Sequence, residues 1–276
     1  MAGEATPLYA TDLALCYDER RVVDGLSVAI PDNSLTVIVG PNACGKSTLL
    51  RALARVLKPT AGAVFLDGAR ISSYSTKEVA RRLGLLPQTA VAPDGITVAD
   101  LVARGRYPHQ RLFRQWSDAD ERVVGWAMDC TGVADLASRY VDELSGGQRQ
   151  RVWLAMALAQ ETPVLLLDEP TTFLDIAHQI EVLELCARLH AEHGRTLVAV
   201  LHDLNQAARY ATHLIALKHG KIVATGPPAE VVTAALVESV FDVRCRVIDD
   251  PETGTPLVVP AAQQAPRAER AAVAPC

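Results

Sequence analysis

The stretch "GPNACGKST" carries Gly40, Gly45, Lys46 and Ser47 at the spacing G-x-x-x-x-G-K-[ST]. That spacing suits phosphate chemistry. Backbone N–H groups of the loop and the positive end of a following helix hold the phosphates, Lys46 reaches the β and γ phosphates, and Ser47 binds Mg2+. The whole run Gly40, Pro41, Asn42, Ala43, Cys44, Gly45, Lys46, Ser47 and Thr48 is expected to contact the nucleotide. A glycine-containing loop can match by chance, so its flanks decide. The apolar run Leu35–Val39 precedes it, and Leu49, Leu53, Val56 and Leu57 follow at helical spacing up to Pro59. Strand, loop and helix together predict nucleoside triphosphate binding.

Asp168 and Glu169 close the short apolar run Val164–Leu167, which suits a strand buried on both faces of a parallel sheet. Alternation along a strand places the two carboxylates on opposite sides. Asp168 is then free to support Mg2+, while Glu169 polarises the water attacking the γ-phosphate. The competing reading is a polar strand end that caps the next helix. "TLVAVLHD", from Thr196 to Asp203, repeats the design and delivers His202 at the end where ligands of open α/β sheets gather. Ser145, Gly146 and Gly147 precede the helical run from Gln148, so they form a second anion-ready helix start or a plain cap. One phosphate site already exists in the chain. The second therefore suggests two chains that complete each other's sites.

Elements must position these groups. "LALCY", "LSVAI" and "GAVFLDG" are short, β-prone and bounded by turn residues, which predicts antiparallel strands around the first loop. Residues 89–162 read mainly as helices and loops, an inserted helical subdomain. The 276 residues, 49% hydrophobic, suffice for a sizeable core. With 27 Lys plus Arg against 32 Asp plus Glu, the formal charge is -5, and no overall positive field gathers nucleic acid. The longest apolar run, Val152–Ala159, is eight residues, too short to span a bilayer. The N-terminus lacks the basic start and apolar core of a signal peptide, which predicts a cytoplasmic chain. Cys16, Cys44, Cys130, Cys186, Cys245 and Cys276 lie far apart and read as reduced thiols. From Ala261 the composition predicts a disordered tail.

"LSGGQRQR", Leu144–Arg151, resembles the signature motif of ABC ATPases. The resemblance implies an α/β fold: a RecA-like P-loop NTPase core with an antiparallel β subdomain and an inserted α-helical subdomain. The ABC domain is expected over 7–243, the helical subdomain over about 89–162, a C-terminal β extension over 244–260 and the tail over 261–276. It implies that Ser145, Gly146, Gly147 and Gln148 approach ATP held by another subunit. Tyr17 matches the aromatic residue against adenine, Gln88 the glutamine that touches Mg2+ or water, Asp175 the loop between subunits and His202 the γ-phosphate contact. ATP and Mg2+, a homodimer, two integral membrane permease subunits and, indirectly, a substrate-binding protein are the implied partners, with no nucleic acid. The chain is expected to be peripheral, at the cytoplasmic face of the cell membrane.

"VARGRYPHQ", Val102–Gln110, resembles the region of iron-chelate and cobalamin importers that meets the permease. "TTFLDIAHQIEVLEL", the run from Leu201 to Gly226 and "CRVIDDPETGTPLVVP" resemble ferric-siderophore import ATPases, with cobalamin or haem import and a soluble non-transport ABC ATPase as alternatives. Arg104, Arg106, His109, Arg111 and Arg114 form either a solvated basic patch or a contact with the permease or the anionic leaflet. Ala43 stands where a glycine is common in the family, and alanine is expected at negative φ. Cys44 lies beside a helix start and Lys46, which either lowers its pKa and makes it reactive or leaves it an inert filler.

Overall fold

The computed structural model describes residues 6–17, 20–110, 116–172 and 174–262. The side chain of Tyr17, Arg111, Arg114, Cys276 and the expected tail from residue 263 onward lie outside the described residues.

β1 (Leu8–Tyr17) pairs antiparallel with β2 (Arg20–Ile30). Leu8 and Ala10 are buried, then Leu13 and Leu15, so the inward parity changes midway. Asp12, at φ 49°, makes that change as a bulge, and aspartate tolerates this conformation better than most residues. β3 (Leu35–Val39) leaves for a second sheet, α1 (Lys46–Leu53) follows, and β4 (Ala61–Leu66) returns to pair with β1 and with β5 (Ala69–Arg70). The first sheet has the order β2-β1-β4-β5.

α1 is shorter than its apolar spacing predicts. Arg55 turns to φ 60°, its N–H donates to the Ala52 carbonyl and that of Val56 to the Arg51 carbonyl, and Val56 is exposed. These two bonds form a Schellman stop, which satisfies carbonyls that a further turn would have used.

α2 (Thr76–Arg82) runs into β6 (Leu83–Leu86). Before the next strand come α3 (Val98–Ala103), α4 (Asp118–Cys130) and α5 (Gly146–Ala159), capped by the hydroxyls of Thr97, Ser117 and Ser145. β7 (Val164–Asp168), α6 (Ile176–His193), β8 (Thr196–Val200), α7 (Leu204–Tyr210), β9 (His213–Lys218) and β10 (Lys221–Gly226) complete the core. The second sheet has the order β10-β9-β3-β8-β7-β6 and is parallel except for β10. β3, β7 and β8 are buried at every residue, as expected for central parallel strands covered on both faces.

Alternation along those strands divides the core in two. Leu35, Val37, Val39, Leu165, Leu167, Leu197 and Ala199 face the layer of α3 to α7. Ile38, Val164, Leu166, Val198 and Val200 face α1 and the antiparallel sheet. The phosphate loop therefore emerges between two rigid packings. α8 (Pro228–Val231) and α9 (Ala234–Phe241) lead to the hairpin of β11 (Cys245–Asp249) and β12 (Pro256–Pro260). Asn205 on α7 pairs with this hairpin through both backbone groups of Val258, at 2.7 and 3.2 Å. Among the described residues no helix is long and apolar enough to cross a membrane.

Candidate functional site

Residues 40–45 link the buried end of β3 to α1. A Cβ at Gly40, whose φ is 153°, would lie 2.1 Å from the Leu217 carbonyl oxygen, so only glycine lets the loop press against β9. Gly45, at φ 106°, precedes α1, and no side chain caps that helix. The first-turn N–H groups thus remain available to an anion. Lys46 is buried, and its Nζ donates to the carbonyls of Gly40 at 2.8 Å and Pro41 at 2.9 Å. Burial lowers its pKa, opposed by Cys44, Glu169 and Asp168.

One expectation for the loop interior is overturned. Ala43 adopts φ 60° rather than a negative value. The loop is fixed at both ends, by Lys46 on the Gly40 and Pro41 carbonyls and by the Gly220 N–H on the Cys44 carbonyl at 2.9 Å. The turn between these anchors is left-handed at Ala43, at a cost of about 1 kcal/mol. Of the two alternatives for Cys44, the burial favours the inert filler: the residue packs in the core cluster with Leu49 and Leu50 and is 6% exposed. Burial pushes its pKa up, and the charge of Lys46 offsets this only in part.

β7 ends at Asp168, and Glu169 takes φ 55°. A turn, rather than strand alternation, therefore separates the two carboxylates. Glu169 Oε2 accepts from Gln88 Nε2 at 2.6 Å and from the Thr172 hydroxyl at 3.1 Å, while Oε1 lies 2.7 Å from His202 Nε2. Its carboxylate is thus fixed from three sides. Asp168 is 1% exposed and neither oxygen makes a hydrogen bond of good geometry. Burial raises its pKa against the pull of the Ser47 hydroxyl and Arg51. A buried carboxylate with open lone pairs near a serine hydroxyl has the oxygen-donor chemistry that Mg2+ takes, so these residues fit that ion.

Asn42, Ala43, Gly45, Lys46, Ser47, Thr48, Gln88, Glu169 and His202 line one cleft of about 750 Å³. Gly40, Pro41, Cys44 and Asp168 are not among its lining residues. The cleft also includes Arg20, Arg21, Val22, His219 and Gly220, which sequence spacing did not single out. Arg20 to Val22 arrive through the β1–β2 pairing, and His219 through the β9–β10 turn that bonds to Cys44, so both are tertiary placements. Thr172 was also missed, although a hydroxyl three residues past Glu169 is a local signal.

Ser145, Gly146, Gly147, Gln148 and Asp175 do not line this cleft. The Ser145 hydroxyl accepts from the Gln148 N–H and the Gln148 Oε1 from the Ser145 N–H, a capping box that starts α5. Asp175 caps α6 and holds His178 Nδ1 at 2.6 Å; the hydrogen bonds from His178 keep its carboxyl below the usual range. Of the described members of the basic patch, Arg106 does not contribute to a solvated surface. Arg106 is 5% exposed and paired with Asp120 and Glu161, His109 Nε2 sits 2.7 Å from the Gln160 carbonyl, and Arg104 is exposed.

A buried lysine on a glycine-bounded loop, a bare helix start and two carboxylates at a central strand end define a P-loop nucleoside triphosphatase. Residues 23–172 match the family model described as ABC transporter. The ferric enterobactin transport ATP-binding protein FepC of Escherichia coli (strain K12) is 58% identical over 96% of this chain and 98% of its own length. The iron(3+)-hydroxamate import ATP-binding protein FhuC of Bacillus subtilis (strain 168) is 48% identical over 91% and 93%. Among solved structures, the dimeric bacterial ABC transporter cassette MJ0796 is similar with a TM-score of 0.70 and 27% identity, covering 80% of this chain and 98% of that one. The chain belongs to the ABC transporter family, among its ATP-binding, ATP-hydrolysing members.

Proposed function

We propose that this chain is the ATPase subunit of an importer that brings ferric siderophores across the cytoplasmic membrane. It works as a homodimer, held peripherally at the cytoplasmic face by two integral membrane permease subunits, with a substrate-binding protein acting indirectly. The supporting observation is a division within one chain. Lys46, Ser47, Gln88, Glu169 and His202 share a cleft, while the capped start of α5 at Ser145–Gln148 lies outside it. A second copy, placed head to tail, would bring that helix start and Asp175 to the first copy's nucleotide.

In the composite site Lys46 exchanges its two loop carbonyls for the β and γ phosphates of ATP. Ser47 and Asp168 would hold Mg2+, with Gln88 nearby, and a bound ion there would supply positive charge to the transferred phosphoryl group. Glu169 accepts the proton of the attacking water, with Gln88, Thr172 and His202 fixing its orientation. Gln88 leads toward a groove of about 930 Å³ between α3 and α4, lined by Tyr107 on one wall and Trp116, Val124 and Met128 on the other. Tyr107 and Trp116 are half exposed there, which suits an apolar helix of the permease. Closure of the dimer excludes water from the site and pulls on that groove.

The cargo assignment is supported by the siderophore-transport relatives. A cobalamin import ATP-binding protein of Halobacterium salinarum, 45% identical over 87% of this chain but only 60% of its own length, supports cobalamin as the second reading. Uptake of labelled ferric siderophores in a deletion strain separates the two. Loss that is restored by the wild-type gene supports the proposal; loss of cobalamin uptake instead selects the second reading. Unchanged uptake of both, with no permease co-purifying from membranes, would indicate a soluble ABC ATPase.

A further inference from the structure

Arg106 has been recruited for something other than surface charge. Its Nε donates to Asp120 Oδ1 at 2.8 Å, and one terminal nitrogen reaches both the Ala159 carbonyl at 2.8 Å and Glu161 Oε2 at 2.7 Å. These acceptors come from different places. Asp120 lies on α4, Ala159 ends α5, and Glu161, at φ 51°, stands in the turn into β7. Asp120 is itself oriented by the Ser117 N–H and hydroxyl. Burial raises its pKa, but the bonds from Ser117 and Arg106 outweigh this and hold it below the usual range. Gly105 completes the contact, since a Cβ there would meet the Met156 carbonyl oxygen at 2.3 Å, so the turn rests directly on α5.

The location gives the cluster meaning. Arg104 and Tyr107 form one wall of the groove, and Glu121 and Val124 of α4 form the other. A single guanidinium therefore bonds to both walls and to the α5–β7 turn. From that turn α5 runs back about 21 Å to Ser145, and β7 runs forward to Asp168 and Glu169. His109, on the Gln160 carbonyl, and Arg81, on the Pro108 carbonyl at 2.7 Å, secure the neighbouring residues to the same turn and to α2. A planar fork is suited to several acceptors at fixed angles, which a lysine ammonium is not.

We propose that Arg106 is a positioning residue that makes the groove walls and the root of α5 one body, so that force applied at the groove is delivered to Ser145–Gln148. This rests on the proposed permease contact. Arg106 does not line the nucleotide cleft, so its loss should uncouple hydrolysis from the permease rather than abolish hydrolysis.

The test uses Arg106→Met and the milder Asp120→Asn, which keeps an acceptor for Ser117. In liposomes holding the full complex, permease-stimulated ATPase and uptake should fall tenfold or more in Arg106→Met and severalfold in Asp120→Asn, with Arg106→Lys in between. Basal ATPase and ATP Kd of the isolated protein should stay within twofold. Basal and stimulated rates falling together, or stimulated rates unchanged, would overturn the proposal. A second measurement is independent of the permease: hydrogen exchange of the isolated protein, in a Glu169→Gln background with and without ATP. Residues 104–107 and 157–161 should change protection in step, and Arg106→Met should break that correlation; persistence of the correlation in the variant would also overturn it. Absence of any stimulation in the wild-type complex would count against the importer reading alone, and the exchange result would still decide the role of Arg106.

Discussion

Replacing Gly40 by alanine tests whether the phosphate loop is held by its packing on β9. The new Cβ would sit 2.1 Å from the Leu217 carbonyl oxygen and 2.9 Å from Cys44 Sγ. The carbonyl belongs to a central strand whose neighbour Ala216 pairs with Val39, so it cannot yield without disturbing the sheet. Overpacking of this kind costs about 1–3 kcal/mol, and a non-glycine residue at φ 153° adds about 1 kcal/mol. With a urea m-value of about 3 kcal/mol/M, the unfolding midpoint should fall by about 1 M. Displacing the loop also misaligns its N–H groups and the carbonyls that hold Lys46. Losing one charge-assisted hydrogen bond, about 1.5–3 kcal/mol, weakens ATP binding at least tenfold. Ala43→Gly is the internal control. Relief of about 1 kcal/mol of left-handed strain is offset by about 0.4–1 kcal/mol of added chain entropy, so its midpoint should stay near wild type. A Gly40→Ala protein with wild-type midpoint and ATP affinity would refute the packing argument.

Ser145→Ala removes the cap of α5 and should lower the melting temperature by about 2–4 °C, with ATP affinity of the isolated chain unchanged because Ser145 is outside its own cleft. Turnover should nevertheless fall; full turnover would argue against the composite site. Cys44 should react slowly with iodoacetamide at pH 7, because burial raises its pKa and lowers the thiolate fraction, and labelling should accelerate only as pH rises beyond the ordinary thiol range. Rapid modification at pH 7, read by peptide mass spectrometry, would contradict the buried placement. Asp168→Asn should raise the Mg2+ concentration needed for half-maximal ATPase while ATP binding in EDTA persists; an unchanged Mg2+ titration would remove Asp168 from that role.

The groups that could be read from sequence are those whose meaning is local. The Gly40–Ser47 spacing, the all-apolar strand before Asp168 and the Ser-Gly-Gly start of α5 are each contained within a few residues, and the structure sets them at strand ends and helix starts. What could not be read depends on closure by distant segments. Ala43 is left-handed because Gly220 and Lys46 anchor the loop on either side. Arg55 ends α1 through backbone bonds that side-chain periodicity does not encode. Arg106 looks like one more surface charge until Asp120, Ala159 and Glu161 arrive from 14, 53 and 55 residues away. Glu169 is aimed by a turn rather than by strand alternation, so the expected division of labour with Asp168 had the wrong geometric cause.

Glu169, fixed by Gln88, Thr172 and His202, is the proposed base for ATP hydrolysis. Its most direct test is the turnover of purified Glu169→Gln at saturating ATP and Mg2+, with ATP Kd measured in the same preparation. The glutamine keeps the shape and a hydrogen-bond acceptor but cannot take the proton. Turnover should fall by about 100- to 10,000-fold with Kd unchanged. Turnover within tenfold of wild type would remove Glu169 from the role of base.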